Sequence, residues 1–516
     1  MKIKFTTVHS YILAATLLSA CRASAADPML SSWFTANTGK YARVYTSTAN
    51  RTSGISSTTW SGQTSPTYAG VHEIDYSSNW VYVRNSGLAA YVMGPWNNPN
   101  WPKNQGTSTG VYRFPRGNAE VTATAASKTL TGMGAIGHLV DGVSVYNTSD
   151  GYSYSVTHAE DASPVAGIGN GDGIWNRDAL PNEGGSFDYA LNHPQPSGDY
   201  HSHANPIAVR YLLGDNVNYD SSTKIYYENT NTTVFKHSPI IGWMNDGLPL
   251  YGPYGYSNPT NPASSVRRMI SGYVLRNGQF GTTNLGVTGR TTLPAWAALA
   301  QGRSTTLSSS QYGPATNYTT GSGVSATTYT LGHYAEDYDY LGDHGYAQSV
   351  TNSDGTFYDL NKYNARWCVT PEYPNGTWAY FESITSNGTS WYPYHVGRWY
   401  LDSPTGGTST TTVMNADTPL TLYFKGATNL QEVLSAPSVN RTNGNITLTW
   451  SALEGGTYQV NVSTNLLSTW TTNSALTTTA TNNAVTAIET SAATTNSIRF
   501  YRVARTSVAA FDSTGY

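Results

Sequence analysis

Charge is scarce in this chain: only 28 of its 516 residues are Lys or Arg and 31 are Asp or Glu, and the formal net charge is -3. A protein that grips a nucleic-acid backbone or an anionic bilayer needs a basic stripe, and this composition supplies none. Cysteine is scarcer still, with Cys21 and Cys368 the two copies. Cys21 falls in a segment expected to be cleaved or acylated, so Cys368 is left alone and a disulfide framework is excluded. Stability must come from a packed core, which a chain of this length can build. Long apolar runs are missing too. The best, Tyr11 to Leu18, is well short of the roughly 20 residues needed to span a bilayer. No long helical repeat of apolar residues occurs, which excludes a helix bundle.

What is present begins with a leader: Lys2 and Lys4, the short apolar run, then small residues ending Ala23-Ser24-Ala25. This pattern predicts a signal peptide over residues 1–25 and a secreted, periplasmic or cell-surface protein. Leu18-Ser19-Ala20-Cys21 also fits a lipobox, which would put a lipid anchor on Cys21; ordinary cleavage after Ala25 is favoured. Tyr at 39, Trp at 14 and Gly at 49 copies, with short alternating runs such as Trp80-Val81-Tyr82-Val83 between turn residues, predict a mainly β protein. Ile207-Ala208-Val209-Arg210-Tyr211 is expected as a strand and Leu293 to Leu299 as a brief helix. A strand is expected from Thr418 to Lys425, after which periodicity is lost from Ala427 to Pro437. The predicted organisation is therefore a large sandwich-like β domain over 27–430, a small sandwich over 436–506 and a tail over 507–516. The small module, with Ile446-Thr447-Leu448-Thr449-Trp450, a Gly-Gly-Thr-Tyr turn and Ile498-Arg499-Phe500-Tyr501-Arg502-Val503, resembles fibronectin type III and immunoglobulin-like sandwiches.

The chain has only 11 histidines, yet His193-Pro194 is followed closely by Tyr200-His201-Ser202-His203. On an extended strand, residues two apart share a face, so His201 and His203 project together. His193 is near enough to return a third imidazole, which makes a ligand set suited to zinc or copper with an open position. Metal-bound histidines usually direct their second ring nitrogen to a carboxylate or carbonyl, and Asp188 and Asp246 are candidates. Asp246-Gly247-Leu248-Pro249-Leu250-Tyr251-Gly252-Pro253-Tyr254 is dense in turn formers, and Tyr251 and Tyr254 are expected at the pocket entrance. Glu183, Asp188, Asp246 and Glu372 are candidate acid or base carboxylates. Gly106-Thr107-Ser108-Thr109-Gly110 matches a nucleophile elbow only in spelling, since no hydrophobic strand leads into it.

Three stretches together carry a family likeness: Tyr200-His201-Ser202-His203, the Asp246–Tyr254 loop, and Thr370-Pro371-Glu372-Tyr373-Pro374-Asn375-Gly376-Thr377-Trp378-Ala379-Tyr380-Phe381. In order and spacing they resemble the YHYH-domain family, with supporting matches from about Trp80 to Trp399. The family's third motif residue is tyrosine and here it is Ser202, so a role for that phenol does not carry over. The resemblance implies an exported domain and assigns no reaction.

Three functions fit: a copper or zinc protein built on His193, His201 and His203; a hydrolase of extracellular polymers using paired carboxylates; and a surface binding protein without catalysis. Its ligand would be a small molecule or a polysaccharide, with Tyr200 and the loop tyrosines near it. Limited proteolysis is expected to cut between Lys425 and Ala436 and release a stable C-terminal fragment; a chain cut only at its ends would contradict the predicted boundary.

Overall fold

The computed structural model describes residues 27–507 apart from 37–38, 65, 98, 105–110, 118–128, 165, 318, 321–326, 409–416, 418, 426–437, 441, 452–456, 466–469, 480–483 and 491–498. The leader with Cys21, the Ala427–Pro437 boundary, the Gly-Gly turn and the elbow-like Gly106–Gly110 stretch lie outside the described residues.

The fold is mainly β, in several sheets. The largest has eight strands in the order Asn192–Pro194, Tyr200–Ser202, Ser144–Val145, Gly137–Leu139, Ile240–Met244, Pro249–Tyr251, Thr377–Phe381 and Ala365–Cys368. Neighbours are antiparallel except at two places, where Tyr200–Ser202 runs parallel to Ser144–Val145 and Pro249–Tyr251 runs parallel to Thr377–Phe381. Its central strands, Ile240–Met244 and Pro249–Tyr251, are buried throughout. Both faces are thus covered, which explains a continuous apolar run where a half-exposed strand would alternate. The turn between these strands is Asn245-Asp246-Gly247, in which Gly247 has φ +80° and Asp246 Oδ1 accepts from the Leu248 N–H. Asp-Gly is a strong hairpin signal for this reason.

A second sheet is wholly antiparallel, in the order Gly407–Thr408, Val111–Pro115, Trp80–Asn85, Val71–Tyr76 and Thr421–Lys425. Ile74, Val83 and Phe114 from this sheet join Leu139, Trp243, Leu250 and Phe381 of the larger sheet in one hydrophobic core. A separate aromatic core gathers Tyr273, Trp296, Tyr338, Tyr392 and Tyr394. Much of the Tyr and Trp excess is therefore packing material.

After Thr421–Lys425, which pairs with Val71–Tyr76, the described strands pair only with one another, in two three-stranded sheets around Leu448, Trp450, Tyr458, Val460 and Leu476. Trp450 is buried there.

One local expectation fails. Ile207–Leu212 is an α-helix, preceded by Pro206, with Ile207 to Arg210 buried. A short run of buried apolar residues carries no period that separates strand from helix, and tertiary packing decides. The later helix is Ala295–Gln301, two residues beyond the predicted start, because Pro294 occupies the cap.

Cys368 is fully buried at the edge of the large sheet, and burial raises its thiol above the ordinary value. A bulky disulfide reagent should label it only as fast as the protein unfolds; rapid labelling of the native protein would show the site to be open.

Candidate metal centre

The centre is built by strand register. Asn192–Pro194 and Tyr200–Ser202 form an antiparallel pair in which His193 stands directly opposite His201. Opposed residues project to the same face, and His203, two residues on, joins them. The connecting loop closes at Gly198, whose φ is +92° and where a Cβ would stand 2.6 Å from Lys103 Cγ. Both the turn and the close approach require glycine. Sliding the register by one residue would turn His201 to the opposite face.

The three imidazoles meet through their Nε2 atoms, 3.1 Å apart between His193 and His201 and 3.0 Å between His201 and His203. What faces the other ring nitrogens fixes where the protons sit. His201 Nδ1 lies 3.0 Å from the Asp199 carbonyl oxygen and His203 Nδ1 lies 2.7 Å from that of Asn147. A carbonyl only accepts, so each Nδ1 carries the proton. His193 Nδ1 is 2.7 Å from Ser186 Oγ, whose own hydroxyl donates to the Glu183 carbonyl at 2.7 Å. That serine therefore accepts from His193. All three neutral rings consequently present bare Nε2 lone pairs to one point, which is the protonation state of a metal ligand. The edge of a tetrahedron with 2.0–2.1 Å bonds is about 3.3 Å, close to these separations. The three ligand atoms lie within 4.8 Å of one another, the one such group among the described residues.

Burial keeps the rings neutral. It lowers His193 to about 3, helped by the neighbouring His203 ring, and lowers His203 to about 4. His201 is depressed as well, first by burial and then by its two neighbours. Glu183 Oε2 stands 3.4 Å from His203 Nε2 and 3.7 Å from His193 Nε2. Burial, then the nearby Asp150 carboxylate, pushes Glu183 up to about 8. Tyr146 stacks on His201 with ring centroids 4.0 Å apart, and Phe187 packs edge-on against His193. The histidines open on a cavity of about 320 Å³ also lined by Tyr146, Tyr152, Asp150 and Glu183.

Other residues singled out by sequence lie elsewhere. Tyr200 projects from the opposite face of its strand, fully buried, and its hydroxyl donates to Asp188 Oδ2 at 2.5 Å. Asp188 also accepts from the N–H groups of Gly94, Ala190 and Asn192, so it caps the turn into Asn192–Pro194 and does not orient an imidazole. Asp246 sits in the hairpin turn of the central strands, where it takes the Tyr380 hydroxyl at 2.6 Å. Tyr251 donates to Glu372 at 3.0 Å, and Tyr254 donates to Glu228 at 3.3 Å. None of Asp246, Tyr251, Tyr254 or Glu372 lines the histidine cavity. Asp246 and Tyr251 belong to the hairpin in the middle of the large sheet, Tyr254 to a separate two-stranded sheet and Glu372 to the connection at the far edge, whereas the histidines occupy the opposite edge.

Several residues that build the centre gave little or no sequence signal. The Asn147 and Asp199 contacts are main-chain carbonyls, which no side-chain pattern marks. Ser186, three residues after Glu183 and seven before His193, had only proximity to recommend it. Ser202 Oγ lies 3.2 Å from His395 Nε2, whose Nδ1 lies 2.5 Å from Glu382 Oε2. All three are buried, so this Ser-His-Glu line braces the strand and offers no nucleophile to an external substrate.

The fold and site define a β-rich protein with a buried cluster of three imidazoles able to hold a metal ion. The chain belongs to the YHYH protein family, whose model matches residues 111–393 and so spans both the histidine strands and the aromatic hairpin. No curated protein and no solved structure matches it.

Acid should destabilise the metal-free protein. A histidine whose folded value lies below its unfolded 6.5 binds fewer protons when folded, so its contribution is complete above pH 6.5 and is lost as pH falls through the folded value. For His203 that window runs from 6.5 to about 4, worth on the order of 3 kcal/mol. In urea denaturation across that range, His203→Gln should flatten the slope of stability against pH; an unchanged slope would mean that His203 is already protonated in the folded state.

Proposed function

We propose that this protein is an exported metalloprotein that holds one copper or zinc ion on His193, His201 and His203, with Glu183 supplying an oxygen ligand. The observation that carries the reading is the convergence of three unprotonated Nε2 atoms at 3.0–3.1 Å spacing with every Nδ1 proton directed outward. Lone pairs brought this close with no proton between them repel, and a cation relieves that repulsion. Imidazole suits both metals; intrinsic affinity favours copper, and availability in the compartment decides. A metal bound there would act as a Lewis acid toward a substrate oxygen or water. Tyr146 and Tyr152 would give the cavity an amphipathic wall for a small molecule or a sugar unit.

A carboxylate-based hydrolase finds less support, because Asp188, Asp246 and Glu372 sit in three separate hydrogen-bond networks. Export rests on the leader of residues 1–25, with an anchor on Cys21 if the lipobox is used. No helix among the described residues is long and apolar enough to cross a membrane.

Elemental analysis of protein purified without added metal, then reloaded, should show one equivalent of copper or zinc, and His203→Ala should show little. Saturating the native site should raise stability by about 2.7 kcal/mol at a hundredfold excess over Kd, read as a higher melting temperature. Equal metal content in the native protein and His203→Ala would refute the site.

A further inference from the structure

A second cavity, of about 450 Å³, shares no lining residue with the histidine cavity. Its apolar wall is made by Phe235, Tyr254, Ile270 and Phe357, with the Phe235 and Tyr254 rings 4.4 Å apart. Three charged side chains border it, and two of them are already engaged in ion pairs with described residues. Arg267 grips both oxygens of Asp359, at 2.6 and 2.8 Å. The Glu228 carboxylate is held by Arg210, which it shares with Asp215 at 2.7 Å, by Asn205 at 2.9 Å and by Tyr254. Arg268 is different. Its one side-chain hydrogen bond among the described residues runs from Nη1 to the Ile384 carbonyl at 2.7 Å, and it forms no ion pair with any described carboxylate. A guanidinium does not shed its proton in a protein. Burial disfavours the charge that Arg268 must keep, and the nearby Asp359, already gripped by Arg267, offsets this only in part. The remaining N–H groups of its planar fork make no hydrogen bond to a described residue and, on a half-buried side chain, are accessible to an anionic ligand.

We propose that this cavity binds a small organic carboxylate, with the carboxylate on Arg268 and the apolar body against Phe235, Ile270 and Phe357. A planar fork suits a carboxylate geometrically, and a charge-assisted pair in a half-buried site is stronger than a neutral hydrogen bond. The volume is that of an ordinary small-molecule site. Thr230, Thr232 and Ser386 offer hydroxyls at the border for a polar substituent. The inference is independent of the metal reading, since neither cavity uses the other's residues.

The test compares 3-phenylpropionate with its neutral isostere 3-phenylpropionamide by calorimetry on the full-length protein. The carboxylate should bind at least about tenfold more tightly than the amide, a difference of about 1.4 kcal/mol. Arg268→Gln should bring the two within about twofold, while Phe235→Ala should weaken both together. Equal affinities in the unaltered protein, no binding of either at millimolar concentration, or a carboxylate preference that survives Arg268→Gln would each overturn the proposal. The comparison within the unaltered protein decides the matter even if a variant fails to fold.

Discussion

Three lone pairs directed at one point are an unfavourable arrangement that the rest of the site exists to enforce. Each imidazole, left free, would rotate to place an N–H against a neighbour's nitrogen. Each is denied that choice by an acceptor behind it: the Asn147 carbonyl, the Asp199 carbonyl and the Ser186 hydroxyl. Asp199 is in turn pinned by Ser144 and Tyr146, which donate to its two carboxylate oxygens at 3.0 and 2.8 Å. The ring that stacks on His201 therefore also fixes the carbonyl that orients it. Preorganisation of this sort is what converts a set of ligands into a site.

The strand Tyr200–Ser202 works on both faces at once. One face presents imidazoles to the cavity. The other is locked by Tyr200 on Asp188 and by Ser202 on His395, itself held by Glu382. Ser202 falls on this hidden face, so it bears on how the strand is anchored and not on the ligand set. The same sequence run thus carries two requirements, and alternation is what keeps them apart.

How much could be read in advance follows from the range of each interaction. Two histidines at i and i+2 share a face by local geometry, and a third eight residues upstream needs only a short hairpin, so the ligand set was legible. The β class was legible for the same reason, from short alternating runs and turn residues. Asp246 and Glu372 were chosen by chemical type, and type does not reveal which strand of an eight-stranded sheet a residue will occupy. Asp246-Gly247 in fact advertised its own destination, a tight turn. Ile207 to Arg210 misled because a fully buried helical turn and a buried strand present the same apolar composition. The Asn147 carbonyl was invisible in principle, since every residue has one.

The parallel pairing of Tyr200–Ser202 with Ser144–Val145 joins segments more than fifty residues apart, and the loop leading out of Ser144–Val145 supplies the Asn147 carbonyl. Contacts between distant segments form late, because loop closure must precede them. Until that pairing closes, the chain offers only a loose His-x-His pair with no fixed tautomer. The set of three oriented imidazoles is thereby completed only when the distant segments have paired. On the proposed metal reading, the identity of the ion would then be set by what is available where the chain finishes folding.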